Sequence, residues 1–166
     1  PCYRYTKDPR NNSIRVVEML DAFLEDEPAI DEYTQYYTQL GQGLKVHPLV
    51  SYGSHSVNHY VLSSLSEDQQ WCEIDENYRF LETLPGVYRT RVFSVPFGGN
   101  WDYNDATSRL VADAGHSAML LSRGAVQRND ACHDGLLPMV DRVMPRDAEV
   151  PAFLADLQTR LSRKGR

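Results

Sequence analysis

At 166 residues and 42% apolar content the chain can bury a real core, since a domain near this size removes roughly 70% of its unfolded surface from water. The 17 basic and 23 acidic side chains leave a formal charge of −6, which sets aside nucleic acid and other polyanions as partners. No apolar run approaches the roughly 20 residues of a membrane span, so no transmembrane segment is expected, and the three cysteines, Cys2, Cys72 and Cys132, are odd in number and lack a C-x-x-C spacing.

One domain over residues 1–166 is the expectation, and the start at Pro1 leaves an upstream segment open. Asn11-Asn12-Ser13 are capping types, and Ile14, Val17, Leu20 and Phe23 or Leu24 recur at helical spacing, which predicts a first helix. A weaker helix is expected over Ile30 to Leu40, and a buried strand over Leu44 to Tyr52. Ser66 and Gln69 form a capping box for a helix with Trp71, Ile74, Tyr78 and Leu81 on one face, stopped by Pro85-Gly86. Val92 to Val95 reads as a short strand ending at Pro96. Asn104 caps a helix through Leu110 that Gly115 closes. Strands are expected at Ser117 to Leu121 and Leu137 to Met144, and a last helix after Pro151 carries Phe153, Leu154, Leu157 and Leu161.

Such alternation predicts an α/β fold with a mainly parallel sheet or barrel, whose sites gather at the carboxyl ends of strands. Two segments fall at such ends: Gly53-Ser54-His55, and Pro96-Phe97-Gly98-Gly99. His55 and His59 are four apart, so a helix beginning here would project both imidazoles from one face and let them share a cation such as zinc. Chance pairing on a polar helix start is the plainer reading of the spacing alone.

The run from Tyr52 through Ser54-His55-Ser56-Val57-Asn58-His59 to Leu62-Ser63 and Ser66 resembles the histidine motif of the polysaccharide deacetylases, Gly-x-His-[Ser/Thr]-x-x-His followed by a Leu-Ser pair and a helix start. Val92 to Gly98 is similar to that family's strand ending in Pro-[Tyr/Phe]-Gly, Asp105 to Met119 to its following helix and strand, and Leu137 to Arg146 to its closing strand. The resemblance covers about residues 50–160. It implies a distorted (β/α) barrel, complete or incomplete at its N-terminus, that removes acetyl groups from N- or O-acetylated glycans. It also implies an Asp-His-His site for a divalent metal, zinc first and cobalt or nickel as alternatives. Carried over, His55 and His59 are metal ligands and the backbone N–H of Phe97 stabilises the oxyanion. Pro96 and Gly98 shape the substrate site, and Trp101 offers a stacking face for a sugar.

The family's first motif, Thr-Phe-Asp-Asp-Gly, is not intact. Its nearest counterpart, Tyr5 to Asn12, holds one carboxylate, Asp8, which is either a solvated or capping side chain or the candidate for both third ligand and base. Ser94 stands where many members have Arg, and the late His has no counterpart in Leu137 to Val143. His47, His116 and His133 read as surface residues, and Arg142 and Arg146 as ordinary surface charges or as partners of acidic groups near the barrel mouth. Tyr33, Tyr36 and Tyr37 read as a packed face or a glycan groove, and Trp101, Asp102 and Tyr103 as a sugar-facing loop or core. Two further readings stay open: a catalytically silent glycan-binding or biosynthesis-complex subunit, and another metal hydrolase using Asp102 or Asp141.

Overall fold

The computed structural model describes residues 5–24, 44–123 and 137–142, with 150–152, 154, 155 and 158 near the end. Helix α1 spans Ser13–Leu24, and the Asn12 side-chain oxygen accepts from the Arg15 N–H as an N-cap does. The expected stripe is only half sunk. Val16 is buried, Ile14, Val17, Leu20 and Leu24 are intermediate, and Phe23 is exposed.

Four strands follow, β1 (Ser51–Ser54), β2 (Tyr88–Ser94), β3 (Ala118–Leu121) and β4 (Met139–Asp141). They form one sheet in the order β1-β2-β3-β4, and every pairing is parallel. Parallel neighbours need crossovers, and helices α2 (Glu67–Thr83) and α3 (Asp105–Asp113) supply the first two. Both helices begin with complete capping boxes, Ser66 with Gln69 and Asn104 with Thr107. Gly86 (φ +72°) stops α2 and Gly115 (φ +92°) closes α3, each in a left-handed conformation that favours glycine.

The core lies between sheet and helices: Leu62, Leu65, Ile74, Phe93, Val95, Val111, Met119 and Leu121 form one buried cluster, each side chain contributing about 1.5–3 kcal/mol. The inward face of α2 is more polar than the apolar spacing suggests. Gln70, Glu73, Ile74, Tyr78 and Leu81 are buried there, while Trp71 is only partly covered. Gln70 bridges the layers, donating to the Leu65 carbonyl at 3.1 Å and accepting from the Thr107 hydroxyl at 2.6 Å.

One expected strand needs correction, and several expectations fall outside the described residues. The buried strand over 44–52 is not formed as such: Pro48 and Leu49 make a turn in which the Val50 N–H donates to the His47 carbonyl, and Leu49 is 89% exposed. Pro48 lacks the N–H a ladder needs, so the strand starts at Ser51. The second helix at Ile30 to Leu40 and the three tyrosines lie outside the described residues, as do His133 and Arg146. Residues 150–152 are helical as expected after Pro151, although Leu154 is 52% exposed. Among the described residues no helix is long and apolar enough to cross a membrane.

His116 is not a surface residue. It is 2% exposed, with its ring 4.0 Å from that of Tyr78 and 5.4 Å from that of Phe93, and among the described residues neither ring nitrogen meets a partner in good hydrogen-bond geometry. Burial lowers its pKa from 6.5 to about 4, so the folded chain holds it neutral. Because the unfolded state takes up that proton first, stability is intact above pH 6.5 and falls as pH drops toward 4, by about 3 kcal/mol at full protonation. Urea midpoints measured across this range should slope in the wild type and flatten in His116→Leu.

Candidate functional site

In a parallel sheet all carboxyl ends share one edge, so the segments leaving β1, β2, β3 and β4 there meet. The close seat of β1 on β2 depends on Gly53, where a Cβ would lie 3.1 Å from both Thr90 Cγ2 and the Val92 carbonyl. The register shifts between Tyr52 and Ser54 at this point, and the chain leaves β1 directly into His55.

The histidine run is not a helix start. Residues 55–61 are irregular, Ser56 (φ +66°) and His59 (φ +59°) are left-handed, and regular structure resumes only with a 3₁₀ turn at Leu62–Ser64. A tight turn therefore pairs the two rings, closed by the His59 N–H donating to the Ser56 hydroxyl at 3.0 Å. The rings meet edge to face with centroids 4.7 Å apart. Phe97 extends the stack, its ring 4.6 Å from that of His59, and the Lys7 ammonium lies 4.4 Å above the Phe97 ring.

The His55 Nδ1 lies 2.6 Å from the Ser94 carbonyl at the end of β2. A carbonyl oxygen only accepts, so Nδ1 carries the proton and the lone pair of the neutral ring sits on Nε2. His59 has its pKa lowered by partial burial first, then by electrostatic interaction with His55 and with the Arg142 and Lys7 cations, which favours the neutral ring.

Phe97 (φ +60°) is the centre of a γ-type turn in which the Gly98 N–H donates to the Pro96 carbonyl at 2.6 Å. Among the described residues the Phe97 N–H meets no acceptor. Gly98 (φ +79°) backs onto the strand exit of β3, accepting from the Ser122 N–H at 2.8 Å. Pro96 is fully buried beneath the turn. Asp102 is 8% exposed and closes the next turn, its Oδ2 accepting from the Gly99 N–H at 2.7 Å, while Trp101 beside it is 79% exposed.

Among the described residues Arg142 pairs with no acidic group, one of the two roles its sequence position allowed. It reaches from the end of β4 to the Ser94 hydroxyl at 2.6 Å, the Val95 carbonyl at 3.1 Å and the Phe97 carbonyl at 3.4 Å, and its buried Nε–H meets no partner among the described residues. Asp141 takes Arg123 instead, with Nη2 at 2.8 Å. The guanidinium thus holds the loop after β2 from a different strand. Arg142→Met, which leaves that hydroxyl and both carbonyls unmatched, should lower stability by about 2 kcal/mol in urea denaturation.

Asp8 is held by Arg10, whose Nε and Nη2 lie 2.9 Å and 2.5 Å from its carboxylate oxygens. That hydrogen bonding brings the Asp8 pKa down to about 2. Among the described residues no three His, Cys, Asp or Glu side chains are grouped to hold a metal. The two imidazoles are nitrogen donors of the kind a divalent cation takes, and a third protein donor is not gathered beside them among those residues.

Sequence reasoning missed three contributors: Lys7 above Phe97, and Glu73 and Asn77 on α2, which bind the histidine turn from behind. The Ser54 hydroxyl donates to Asn77 Oδ1 at 2.8 Å and the His55 N–H to the same oxygen at 3.2 Å. The available signal was the position of Glu73 beside Ile74 and of Asn77 beside Tyr78, polar residues within an inward helical stripe.

The family model for polysaccharide deacetylase matches residues 29–119, which takes in the histidine run, the Pro-Phe-Gly turn, α3 and the start of β3. No curated protein and no solved structure matches the chain. The matched span exceeds half of the 166 residues and contains both histidines and the Pro-Phe-Gly turn, so the chain belongs to the polysaccharide deacetylase family.

Proposed function

We propose that the chain hydrolyses acetyl groups from N- or O-acetylated glycans at the His55–His59 pair, with a divalent metal, zinc first and cobalt or nickel as alternatives, and that its parallel sheet is part of a distorted (β/α) barrel. The observation that carries this reading is the pair itself: two edge-to-face imidazoles at the carboxyl edge of the sheet, one with its lone pair directed to Nε2 by the Ser94 carbonyl. A divalent cation bound there supplies Lewis-acid polarisation of the acetyl carbonyl and a water of lowered pKa.

The chain's own residues supply the rest. His55 and His59 hold the cation, Phe97 presents its N–H to the developing oxyanion, and Pro96 and Gly98 form the floor under the acetyl group. Trp101 offers an exposed aromatic face to a sugar ring. Asp8, one residue from Lys7, serves as base and third ligand only by leaving Arg10. The experiment is acetate release from N-acetylated chito-oligosaccharide and from O-acetylated xylan, with excess zinc, cobalt or nickel. Acetate from either substrate supports hydrolysis and sets the amide or ester preference; none from both overturns it.

A second reading has two observations behind it. No third metal donor is gathered among the described residues, and the Lys7 ammonium lies over the Phe97 ring that packs on His59. A glycan-binding subunit without turnover would keep Trp101 and the turn while releasing no acetate.

A further inference from the structure

Glu73 is a charged side chain on the inward face of α2, 5% exposed. A buried carboxylate is costly unless its oxygens are matched by donors. Here one loop matches both. Oε2 accepts from the Val57 N–H at 3.1 Å and the Asn58 N–H at 2.8 Å, and Oε1 accepts from the Asn58 side-chain amide at 2.6 Å. These three donors belong to the two residues midway between His55 and His59.

The turn they occupy does not hold itself. Ser56 and His59 are both left-handed without being glycine, a conformation that persists only where the surroundings impose it. Its own internal bond is the single contact between Ser56 and the His59 N–H. One helical turn after Glu73, Asn77 holds the other end through Ser54 and the His55 N–H. Side chains four apart on a helix face the same way, so α2 grips the turn at two points spaced by one turn of helix.

We infer that Glu73 is a positioning residue that sets the His55–His59 ring geometry by clamping Val57 and Asn58, with Asn77 as the second grip. The inference rests on the proposed role of the histidine pair as the reacting centre. Glu73 touches neither substrate nor metal in this account; it fixes where His59 points. Gln at 73 can keep the clamp, since one oxygen still accepts from both backbone N–H groups and a half-turn of the Asn58 amide restores the third contact. Leu at 73 fills similar space and accepts nothing.

The test compares wild type, Glu73→Leu and Glu73→Gln by circular dichroism, by ring-to-ring nuclear Overhauser contacts of His59 with His55 and with Phe97, and by acetate-release kinetics. Glu73→Leu is expected to fold, to lose the two ring contacts and to lower kcat about 100-fold with KM within about threefold. Glu73→Gln is expected to keep the contacts and kcat within about fivefold. A folded Glu73→Leu chain with both ring contacts intact overturns the inference. If Glu73→Leu does not fold, Asn58→Ala removes one arm at an exposed position: weakened ring contacts support the clamp, and unchanged ones overturn it. The ring contacts are read without turnover, so a chain that releases no acetate sinks the hydrolase reading and still decides this one.

Discussion

His55→Ala is expected to cut acetate release about 1,000-fold while leaving the chain folded. The His55 ring is tied to the sheet by one hydrogen bond, from Nδ1 to the Ser94 carbonyl. Losing that bond costs stability only about 1 kcal/mol. Its Nε2 lone pair, by contrast, is half of the donor pair, and alanine has no replacement for it. Loss of activity far beyond loss of stability is thus the signature. Steady-state kinetics beside urea denaturation check it, and an equal fall in both would mark His55 as packing.

Gly98→Ala should be the most damaging single methyl in the described chain. The new Cβ would stand 2.7 Å from the Ser122 nitrogen and 3.2 Å from Leu121 C and Ser122 Cβ, all at a φ of +79°. The obstacle is backbone rather than a flexible side-chain tip, and it cannot easily retreat because the Ser122 N–H donates to the Gly98 carbonyl. The left-handed conformation adds its own penalty of about 1 kcal/mol. Together these predict a loss of about 3 kcal/mol or more, with a displaced Phe97 turn and reduced acetate release. Gly115→Ala is the control. Its φ is +92° but nothing lies within 4 Å of the new Cβ, so it should cost about 1 kcal/mol and leave activity unchanged. Thermal or chemical denaturation of both variants separates steric conflict from backbone conformation.

Local signals in the sequence carried far where they had one meaning. Ser66 with Gln69 and Asn104 before Gly115 named the starts of α2 and α3 and the end of α3, because caps act within four residues of themselves. The two strand ends that host the site were likewise readable, since Gly53 and Pro96 interrupt apolar runs at the carboxyl edge.

Reading failed where meaning depended on distant partners. Four-residue spacing suggested a helix for His55 and His59, yet the pairing comes from a turn clamped by Glu73, 14 positions beyond His59 in the chain. Arg142 looked like a partner for an acid, but Asp141 beside it faces Arg123 and leaves the guanidinium to the loop after β2. His116 followed a helix-closing glycine and looked exposed. Its burial is decided by Tyr78 and Phe93, which approach it from α2 and β2. Leu44 to Val50 had strand composition, but Pro48 turned the chain before the sheet began.

With Asp8 the one carboxylate in the segment that resembles the family's first motif, one measurement is the most direct. The wild-type chain is stripped with a chelator, then titrated with zinc while acetate release from N-acetylated chito-oligosaccharide is followed. The stripped chain is expected to release no acetate, and added zinc to restore release that saturates near one ion per chain. Acetate release that is the same with and without metal, or none at any zinc concentration, would contradict metal-dependent hydrolysis.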